Sequence, residues 1–502
     1  MTDIYLPGGS YAFPCVRADY VPHKLARYAD NRLIGALRFP DKRKALKAAL
    51  TNLPTFDVSQ RELDRPMRRL LVKQLGRFFL GLDRTAELSE NVHGNILEGY
   101  VGREPHTASA NARLRQLYEA QKTGEFCALG SNSNTAQFSC ALIGTPGVGK
   151  SAALARVAEL YPPLIHHPEL DLWQIPVLSI EMAYNGMSQG TLAHAIIRAI
   201  AKRFPPGDYE RLYLKSRANS EQLLLAAFAL MHVHAVGALF VDEAQNRDYN
   251  AETDEDPEEI SRVRKYKVSQ SPLITLLITA SNRMQVPLLM SGTAELRDVM
   301  GKRLSKVRRM VGEGMRPWGP LSVVPSRTSP HSDYDLFMNV LWAYNWLQNP
   351  PAYPEMRSLF HYYTFGIPDF IVKLFKAVQW RALEDGLETF DAALVHQVAN
   401  EELGAITRIT RKMHKARTDL AARAELSMVA DIAAEFGLSP LAENFERVGS
   451  SLEEAVREAA EAPKEYASTF TAKPTEEPKR KSGPAKRDFE QPPVANWTEV
   501  GK

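Results

Sequence analysis

The sequence is poor in cysteine, which occurs only at Cys15, Cys127 and Cys140. The three residues form neither a CxxC pair nor a Cys/His spacing typical of a structural zinc site. Cys140 lies within an apolar run, which predicts a small buried side chain rather than a redox group. Because disulfide proteins usually carry paired cysteine patterns, this set indicates a reducing compartment, and we expect a cytoplasmic protein.

The sequence also lacks long hydrophobic runs and internal repeats. No apolar stretch approaches the roughly 20 residues that cross a bilayer. Residues 1–14 lack the basic segment and apolar segment of a signal peptide. We therefore expect no membrane partner. A chain of 502 residues with 44% hydrophobic and 24% charged residues suits about two to four globular domains.

The net charge is only +3, so bulk charge does not indicate nucleic-acid binding. The charge is uneven, however, because residues 1–80 contain fifteen Lys and Arg against seven Asp and Glu. This local excess of positive charge can attract DNA or an acidic partner. A solvated basic face is an equally good interpretation.

Hydrophobic periodicity divides the chain into helical and α/β parts. Apolar spacing predicts helices near the start, for example over 41–50 and 65–82, and a turn-rich stretch over 91–105. Short apolar runs then alternate with amphipathic segments, which predicts a parallel α/β sheet with helices on both faces. The predicted strands are 138–143, 176–180, 238–241 and 287–290, and the predicted helices between them include 151–161 and 189–204.

The predicted domains follow from these changes in pattern. A polar, acidic stretch over 246–271 predicts an exposed loop, and residues 463–502 contain six prolines and many charges, which predicts disorder. We predict a helical basic region at 1–95, an α/β core at 96–325, a helical lid at 326–430, C-terminal helices at 431–462 and a disordered tail at 463–502.

A complete GxxxxGK[ST] motif stands directly after the first predicted strand and before a helix. Glycines allow the backbone to wrap around phosphate so that N–H groups point inward, and the helix N-terminus favours an anion. Lys150 would contact the β- and γ-phosphates, and Ser151 would bind Mg²⁺. The predicted phosphate-binding residues are Gly144, Thr145, Pro146, Gly147, Val148, Gly149, Lys150 and Ser151.

Two adjacent carboxylates, Asp242 and Glu243, follow the apolar run 238–241. Ligands of open α/β sheets bind at the carboxyl ends of strands. Asp242 would hold Mg²⁺, largely through water, and Glu243 would orient the attacking water. A further β-α unit at 176–204 fits between Lys150 and Asp242, as expected when an extra strand is inserted between the strands that carry them. This arrangement and the absence of an NKxD sequence favour ATP over GTP.

Two further features complete the predicted catalytic set. Thr293 follows the last predicted strand, where its hydroxyl could bond the γ-phosphate or the lytic water, although a turn threonine is an equal alternative. A basic cluster follows, and in oligomeric ATPases an arginine there reaches the nucleotide of the neighbouring subunit. Arg308 and Arg309 are the candidates, and the sequence does not separate them.

Together these motifs resemble the AAA+ superfamily and, more closely, the TnsC family of AAA+ regulators of heteromeric bacterial transposons, whose smaller relatives are TniB and IstB. The resemblance covers about 20–400. Its more specific parts are the GYVGREP segment at 99–105 and the lid sequence GIPD with IVKLF at 366–375. In the lid, Asp369 stands near where many AAA+ proteins carry a sensor arginine, so the resemblance does not extend to that role.

The resemblance implies an ATP- and Mg²⁺-dependent ATPase that forms rings or filaments on duplex DNA and disassembles on hydrolysis. It further implies that the N-terminal region contacts a target selector of the TnsD/TniQ type, and that the tail contacts transposase subunits of the TnsA/TnsB type. For DNA we select the segment 185–191 and its following helix, with Thr191, Arg198, Lys202 and Arg203, because such side chains bind phosphate. The alternatives are a helicase loader of the IstB/DnaC kind and a nucleotide-gated scaffold with little hydrolysis.

Overall fold

The computed structural model describes residues 15–123, 139–182, 188–204, 209, 213, 219–244, 271–293, 296, 317–325 and 330–416. All of them lie within Met1–Ala442, the first of two units into which the chain divides. The predicted C-terminal helices and tail, and most of the predicted acidic loop, lie outside the described residues. Within those residues, every helix is too short or too polar to span a bilayer.

The strands are β1 (Val16–Arg17), β2 (Ser139–Ile143), β3 (Ile165–His167), β4 (Leu172–Gln174), β5 (Val177–Glu181), β6 (Ala238–Asp242) and β7 (Leu288–Gly292). The helices of the N-terminal region are α1 (Ala26–Ala29), α2 (Arg32–Gly35), α3 (Arg43–Leu50), α4 (Arg65–Lys73), α5 (Asp83–Tyr100) and α6 (Ala108–Thr123). Those that follow are α7 (Lys150–Ala158), α8 (Gln189–Ala201), α9 (Ser220–Val233), α10 (Ser271–Met284), α11 (Asp333–Trp342), α12 (Tyr353–Thr364), α13 (Pro368–Glu384), α14 (Ala392–Glu401) and α15 (Gly404–Ala416).

Four parallel strands form the main sheet in the order β2-β7-β6-β5. The expectation that the strand near 176–180 is the inserted one is wrong, because β5 lies at the edge beside β6. It is β7 that separates β2 from β6. The chain reaches β7 only after β6, so strand order along the sequence does not reveal the insertion. Because these strands are parallel, the order places the carboxyl ends of β2, β7 and β6 side by side.

Alternate residues of each strand enter hydrophobic cores on opposite faces of the sheet. One core contains Leu239 and Val241 of β6 together with residues of α8, α9 and α10. The other contains Ala238 and Phe240 of the same strand together with residues of α3, α5 and α7. Because both faces are covered, the strands are apolar throughout, as the short apolar runs of the sequence predict. Cys140 is buried in the second core.

A third core joins the lid helices α11–α14 to the N-terminal helix α4. Val72 and Leu75 pack there with Trp346 and Phe375, all fully buried. The buried Arg68 guanidinium reinforces this contact by donating to both carboxylate oxygens of Glu388, at 2.7 and 2.9 Å. The N-terminal region therefore packs against both the lid and the α/β core.

Two local expectations require correction. The stretch 91–105 is not turn-rich throughout, because α5 continues to Tyr100 and the turn begins only at Val101. Buried Ile96, Leu97 and Tyr100 hold this helix against the second core despite its glycines. The segment 65–82 is likewise not one helix, since α4 ends at Lys73 and a 3₁₀ turn follows at Gln74–Arg77.

Candidate nucleotide-binding site

The phosphate-binding loop connects β2 to α7, as the sequence predicts. Gly147 and Gly149 have φ angles of 82° and 93°, a conformation that glycine adopts without steric cost. The Lys150 ammonium lies over the loop and donates to the carbonyl oxygens of Gly144 and Thr145, at 2.7 and 3.1 Å. Ser151 is the second residue of α7 and is exposed toward the cleft. The loop thus presents the Lys150 ammonium and the N-terminus of α7 to the cleft.

Position 144 requires glycine because the backbone of Trp318 approaches it closely. A Cβ at this position would stand 2.3 Å from the carbonyl oxygen of Trp318, which forms a parallel bridge with Gly144. The bridge is held by hydrogen bonds from Trp318 N–H to Ile143 O and from Thr145 N–H to Trp318 O. Residue 318 therefore extends the sheet beyond β2 and fixes the start of the loop.

The predicted carboxylate pair lies at the end of β6. The Asp242 carboxylate accepts a hydrogen bond from the Glu243 N–H at 2.9 Å. Glu243 has φ of 53°, which is uncommon for a residue with a side chain and marks a constrained turn. Its side chain lines the same cleft as Lys150 and Ser151. Asp242, one residue earlier, is not among the residues that line the cleft.

Thr293 directly follows β7, the strand between β2 and β6, and it also lines the cleft. Its side chain is buried. The strand order thus brings the predicted threonine between the loop and the carboxylate pair. Arg308 and Arg309 lie outside the described residues.

The cleft has a volume of about 960 Å³ and three walls. The first is the phosphate-binding loop with the strand ends. The second is the N-terminal segment from Leu75 to Thr85, and the third is the start of α13 in the lid. The walls beside the loop are largely apolar, with Leu75, Phe78, Phe79, Leu80, Leu82, Phe337 and Val372 among the lining residues.

Arg84, at the start of α5, connects the second wall to the loop. Its guanidinium donates to Val148 O in the loop and to Gly319 O, both at 2.9 Å. It also lies over the Trp318 ring, 4.7 Å from the centroid. Burial lowers the pKa of Arg84 to about 10, and the Asp333 carboxylate opposes this shift. The residue remains protonated at neutral pH and fixes the loop through its hydrogen bond to Val148 O.

The lid contributes charges of both signs through the first turns of α13. The Asp369 N–H donates to Gly147 O at 3.1 Å, so the lid touches the loop directly. The Lys373 ammonium contacts Asp369 Oδ2 at 2.6 Å, and Lys376 lines the cleft one turn further on. Among the charged lining residues, Arg84, Lys150, Lys373 and Lys376 outnumber the anions Glu243 and Asp369. This balance suits a polyanionic ligand.

The residues present fit a nucleoside triphosphate with Mg²⁺. The glycine turns, the Lys150 ammonium and the α7 N-terminus fit phosphate, and the apolar walls fit a base. Mg²⁺ is commonly held by one or two protein oxygens together with phosphate oxygens and water, and Ser151 and Asp242 could supply those two. Among the described residues there is no group of three or more His, Cys, Asp or Glu side chains that could hold a metal alone.

Comparison with known proteins agrees with this geometry. A protein-family model described as an AAA domain matches residues 134–300. That segment includes the loop, the carboxylate pair, Thr293 and the four strands of the main sheet. Residues 134–300 belong to an AAA-type ATPase domain.

Several solved structures share low similarity with the chain. Cdc6p from Pyrobaculum aerophilum is 15% identical with a TM-score of 0.31, and the match covers 57% of this chain and 65% of that one. The Aeropyrum pernix ORC2 protein in ADPNP-ADP complexes is 13% identical with a TM-score of 0.33, covering 58% and 67%. Drosophila ORC bound to DNA is 14% identical with a TM-score of 0.30, covering 75% and 84%. The search of curated proteins finds no match.

The residues selected for DNA binding lie on α8 or directly after its last residue, away from the cleft walls. Arg198 and Lys202 are exposed one helical turn apart. Thr191 is exposed, but its hydroxyl bonds the backbone of Ser188 in a capping box at the start of α8. Arg203 differs, because its guanidinium donates to the carbonyl oxygens of Pro163, Ala199 and Val177 and therefore has a structural role. The segment 183–187 lies outside the described residues.

Sequence reasoning missed the contributions of Arg84, Phe79, Trp318 and the lid lysines to the cleft of the AAA domain. The GYVGREP segment, by contrast, does not line the cleft. Its buried Arg103 donates to Val236 O and Gln285 O, near the starts of β6 and β7 and therefore at the opposite edge of the sheet. No local pattern in the sequence distinguishes Arg84 from the other basic residues of 65–100.

Proposed function

We propose that the chain binds ATP with Mg²⁺ in the cleft and hydrolyses it. The supporting observation is that the cleft brings together Lys150, Ser151, Glu243 and Thr293 beside apolar walls. Lys150 and the loop N–H groups bind the phosphates, while Ser151 and Asp242 hold the ion. Bound Mg²⁺ would neutralise charge on the phosphates. Glu243 orients and polarises the water that attacks the γ-phosphate.

The test of this activity is ATP turnover by the full chain and its variants. Lys150→Ala removes the cation of the loop and should abolish ATP binding. Glu243→Gln keeps the side-chain size but loses the negative charge, and should bind ATP while turnover falls by roughly 10²-fold or more. Glu384→Gln, on the exposed face of the lid, is the matched carboxylate control and should retain wild-type turnover. Unchanged turnover in Glu243→Gln would contradict the proposed role.

We further propose that ATP drives assembly of copies on duplex DNA, in a regulator of DNA transposition. The support is the resemblance to the TnsC family, with the basic bias of residues 1–80. In this proposal Arg308 or Arg309 of one copy reaches the nucleotide of the next, a target selector of the TnsD/TniQ type contacts the N-terminal region, and transposase subunits of the TnsA/TnsB type contact the tail. We also propose that the protein acts in the cytoplasm.

Electron microscopy and sedimentation with duplex DNA test the assembly. With ATP, Glu243→Gln should accumulate as rings or filaments on DNA, while Lys150→Ala should remain unassembled. Binding should weaken steeply with salt because it depends on phosphate contacts. If Glu243→Gln stays monomeric with ATP and DNA, the assembly proposal is wrong, and the helicase-loader reading becomes the better one. Turnover that is absent with and without DNA would favour the nucleotide-gated scaffold.

A further inference from the structure

The lid places an acidic side chain directly against the phosphate-binding loop. A Cβ built on Gly147 would lie 3.3 Å from Asp369 Cβ and 3.7 Å from Asp369 Oδ2, so this carboxylate stands beside the loop backbone. The backbone hydrogen bond from Asp369 N–H to Gly147 O fixes that position. A negative charge so close to a phosphate-binding loop repels an anionic ligand.

Lys373 lies on the same face of α13 as Asp369 and neutralises its carboxylate. Its ammonium lies 2.6 Å from Asp369 Oδ2, in an i,i+4 pair at the mouth of the cleft. The lysine side chain is 49% exposed and the aspartate 41%, so both can move without disrupting the core. An exposed ion pair of this kind contributes little to stability, which leaves its lysine available to a stronger anion. An ammonium also carries three donors, and a carboxylate oxygen occupies only part of that capacity.

We propose that Asp369 and Lys373 form an exchangeable charge pair that tunes nucleotide affinity and favours triphosphate over diphosphate. Lys373 shifts from Asp369 toward the terminal phosphates when a triphosphate fills the cleft. Once the terminal phosphate is gone, Lys373 returns to Asp369 and no longer binds the nucleotide, while the Asp369 carboxylate remains beside the loop and weakens binding of the diphosphate. The pair acts through binding and is not a catalytic group. This inference rests on the proposed nucleotide binding.

The two members of the pair should have opposite effects on affinity. Lys373→Met should weaken ATP binding about tenfold and ADP binding about twofold, because the terminal phosphate loses its lid cation. Asp369→Asn should tighten ADP binding about three- to tenfold and slow ADP release by a similar factor, because a repulsive charge is removed. The double variant should depart from the product of the two single effects, since the residues are in direct contact.

The measurement is equilibrium and stopped-flow binding of fluorescent ATP and ADP analogues to the full chain. Lys376→Met is the comparison within the cleft: Lys376 lines the same wall one turn further along α13, so its loss should weaken ATP and ADP binding alike and leave the ATP-to-ADP preference unchanged. Thermal unfolding of each variant checks that the lid remains folded. An ATP-to-ADP preference that falls in Lys373→Met and not in Lys376→Met supports the proposal.

Three outcomes would overturn it. The first is an unchanged ATP-to-ADP preference in Lys373→Met, and the second is a larger loss of that preference in Lys376→Met than in Lys373→Met. The third is release of ADP from Asp369→Asn at the wild-type rate. Failure of the proposed nucleotide binding gives a different result, because the wild-type chain would then bind neither analogue in a manner that depends on Lys150.

Discussion

Replacement of Arg84 by methionine tests whether the N-terminal region holds the phosphate-binding loop in shape. Methionine keeps the length and apolar volume of the side chain while removing the guanidinium. The carbonyls of Val148 and Gly319 then lose their donors, and Trp318 loses the cation over its ring. We expect a folded protein with a weaker phosphate site.

The magnitude follows from these contacts. Hydrogen bonds to a charged group contribute about 1.5–3 kcal/mol each, and an enclosed cation–π contact contributes up to about 2 kcal/mol. The lowered pKa of Arg84 shows that burial of its charge offsets part of this gain. We therefore expect the free energy of unfolding to fall by about 2 kcal/mol. If ATP must reorder the loop at the cost of one such hydrogen bond, affinity falls by roughly tenfold.

Urea unfolding and titration with a fluorescent ATP analogue measure the two effects separately. Arg84→Lys keeps the charge but not the two-pronged geometry, so it should fall between the wild type and Arg84→Met. Arg43→Met is the control, because Arg43 also bonds the start of α5 through Asp83 but is exposed and outside the cleft. ATP affinity that is unchanged in a folded Arg84→Met protein would refute the reasoning.

Four further outcomes are expected. Arg68→Met should lower the free energy of unfolding in urea by about 3–5 kcal/mol, because it leaves the partly buried Glu388 carboxylate without its main partner. Arg65 is more exposed, so Arg65→Met should lower it by about 1 kcal/mol or less. The hydrogen bond from Arg68 lowers the pKa of Glu388 to about 2, so the stability that Glu388 contributes is complete above its ordinary pKa of 4.5. It is lost as pH falls toward 2, and the difference in unfolding free energy between wild type and Glu388→Gln should shrink over that window. Gly147→Ala should bind ATP poorly in fluorescence titration because its φ of 82° strains alanine and its methyl group would meet Ile367 at 3.0 Å. Phe79→Ala should weaken ATP binding and leave inorganic triphosphate binding unchanged, both measured by calorimetry, because Phe79 belongs to the apolar wall of the cleft.

The sequence was sufficient for those parts of the site that depend on local chemistry. The loop from Gly144 to Ser151 requires glycines, a lysine and a hydroxyl in a fixed order, so the motif identifies it directly. The same holds for Asp242 and Glu243, because an apolar strand that ends in two carboxylates is a local pattern. The four strands of the main sheet differ from the predicted ones by one or two residues at their ends, whereas the short strands β1, β3 and β4 were not predicted.

Features that depend on distant contacts could not be predicted. Arg84 bonds residues 64 and 235 positions away, and Arg68 bonds Glu388 across 320 positions. The strand order was predicted wrongly for the same reason. The sequences of β5 and β7 do not indicate which of the two pairs with β2. Helix α5 was interpreted as partly a turn because of the glycine-containing segment from Gly99 to Arg103, while burial of the helix against the sheet overrides the low helix propensity of glycine.

Besides the direct contact of Asp369 with Gly147, the lid and the loop are connected through the N-terminal region. Helix α4 is held in the lid core by Arg68 and Glu388, and the segment that follows it lines the cleft before Arg84 reaches the loop. If a nucleotide moves the lid relative to the loop, this segment would change its contacts with one of them. Coupling between two binding sites is reciprocal in free energy. A partner that binds the N-terminal region and changes ATP affinity by some factor must therefore itself be bound more or less tightly by the same factor when ATP is present. Equal partner affinity with and without ATP would show that α4 and the segment after it transmit nothing.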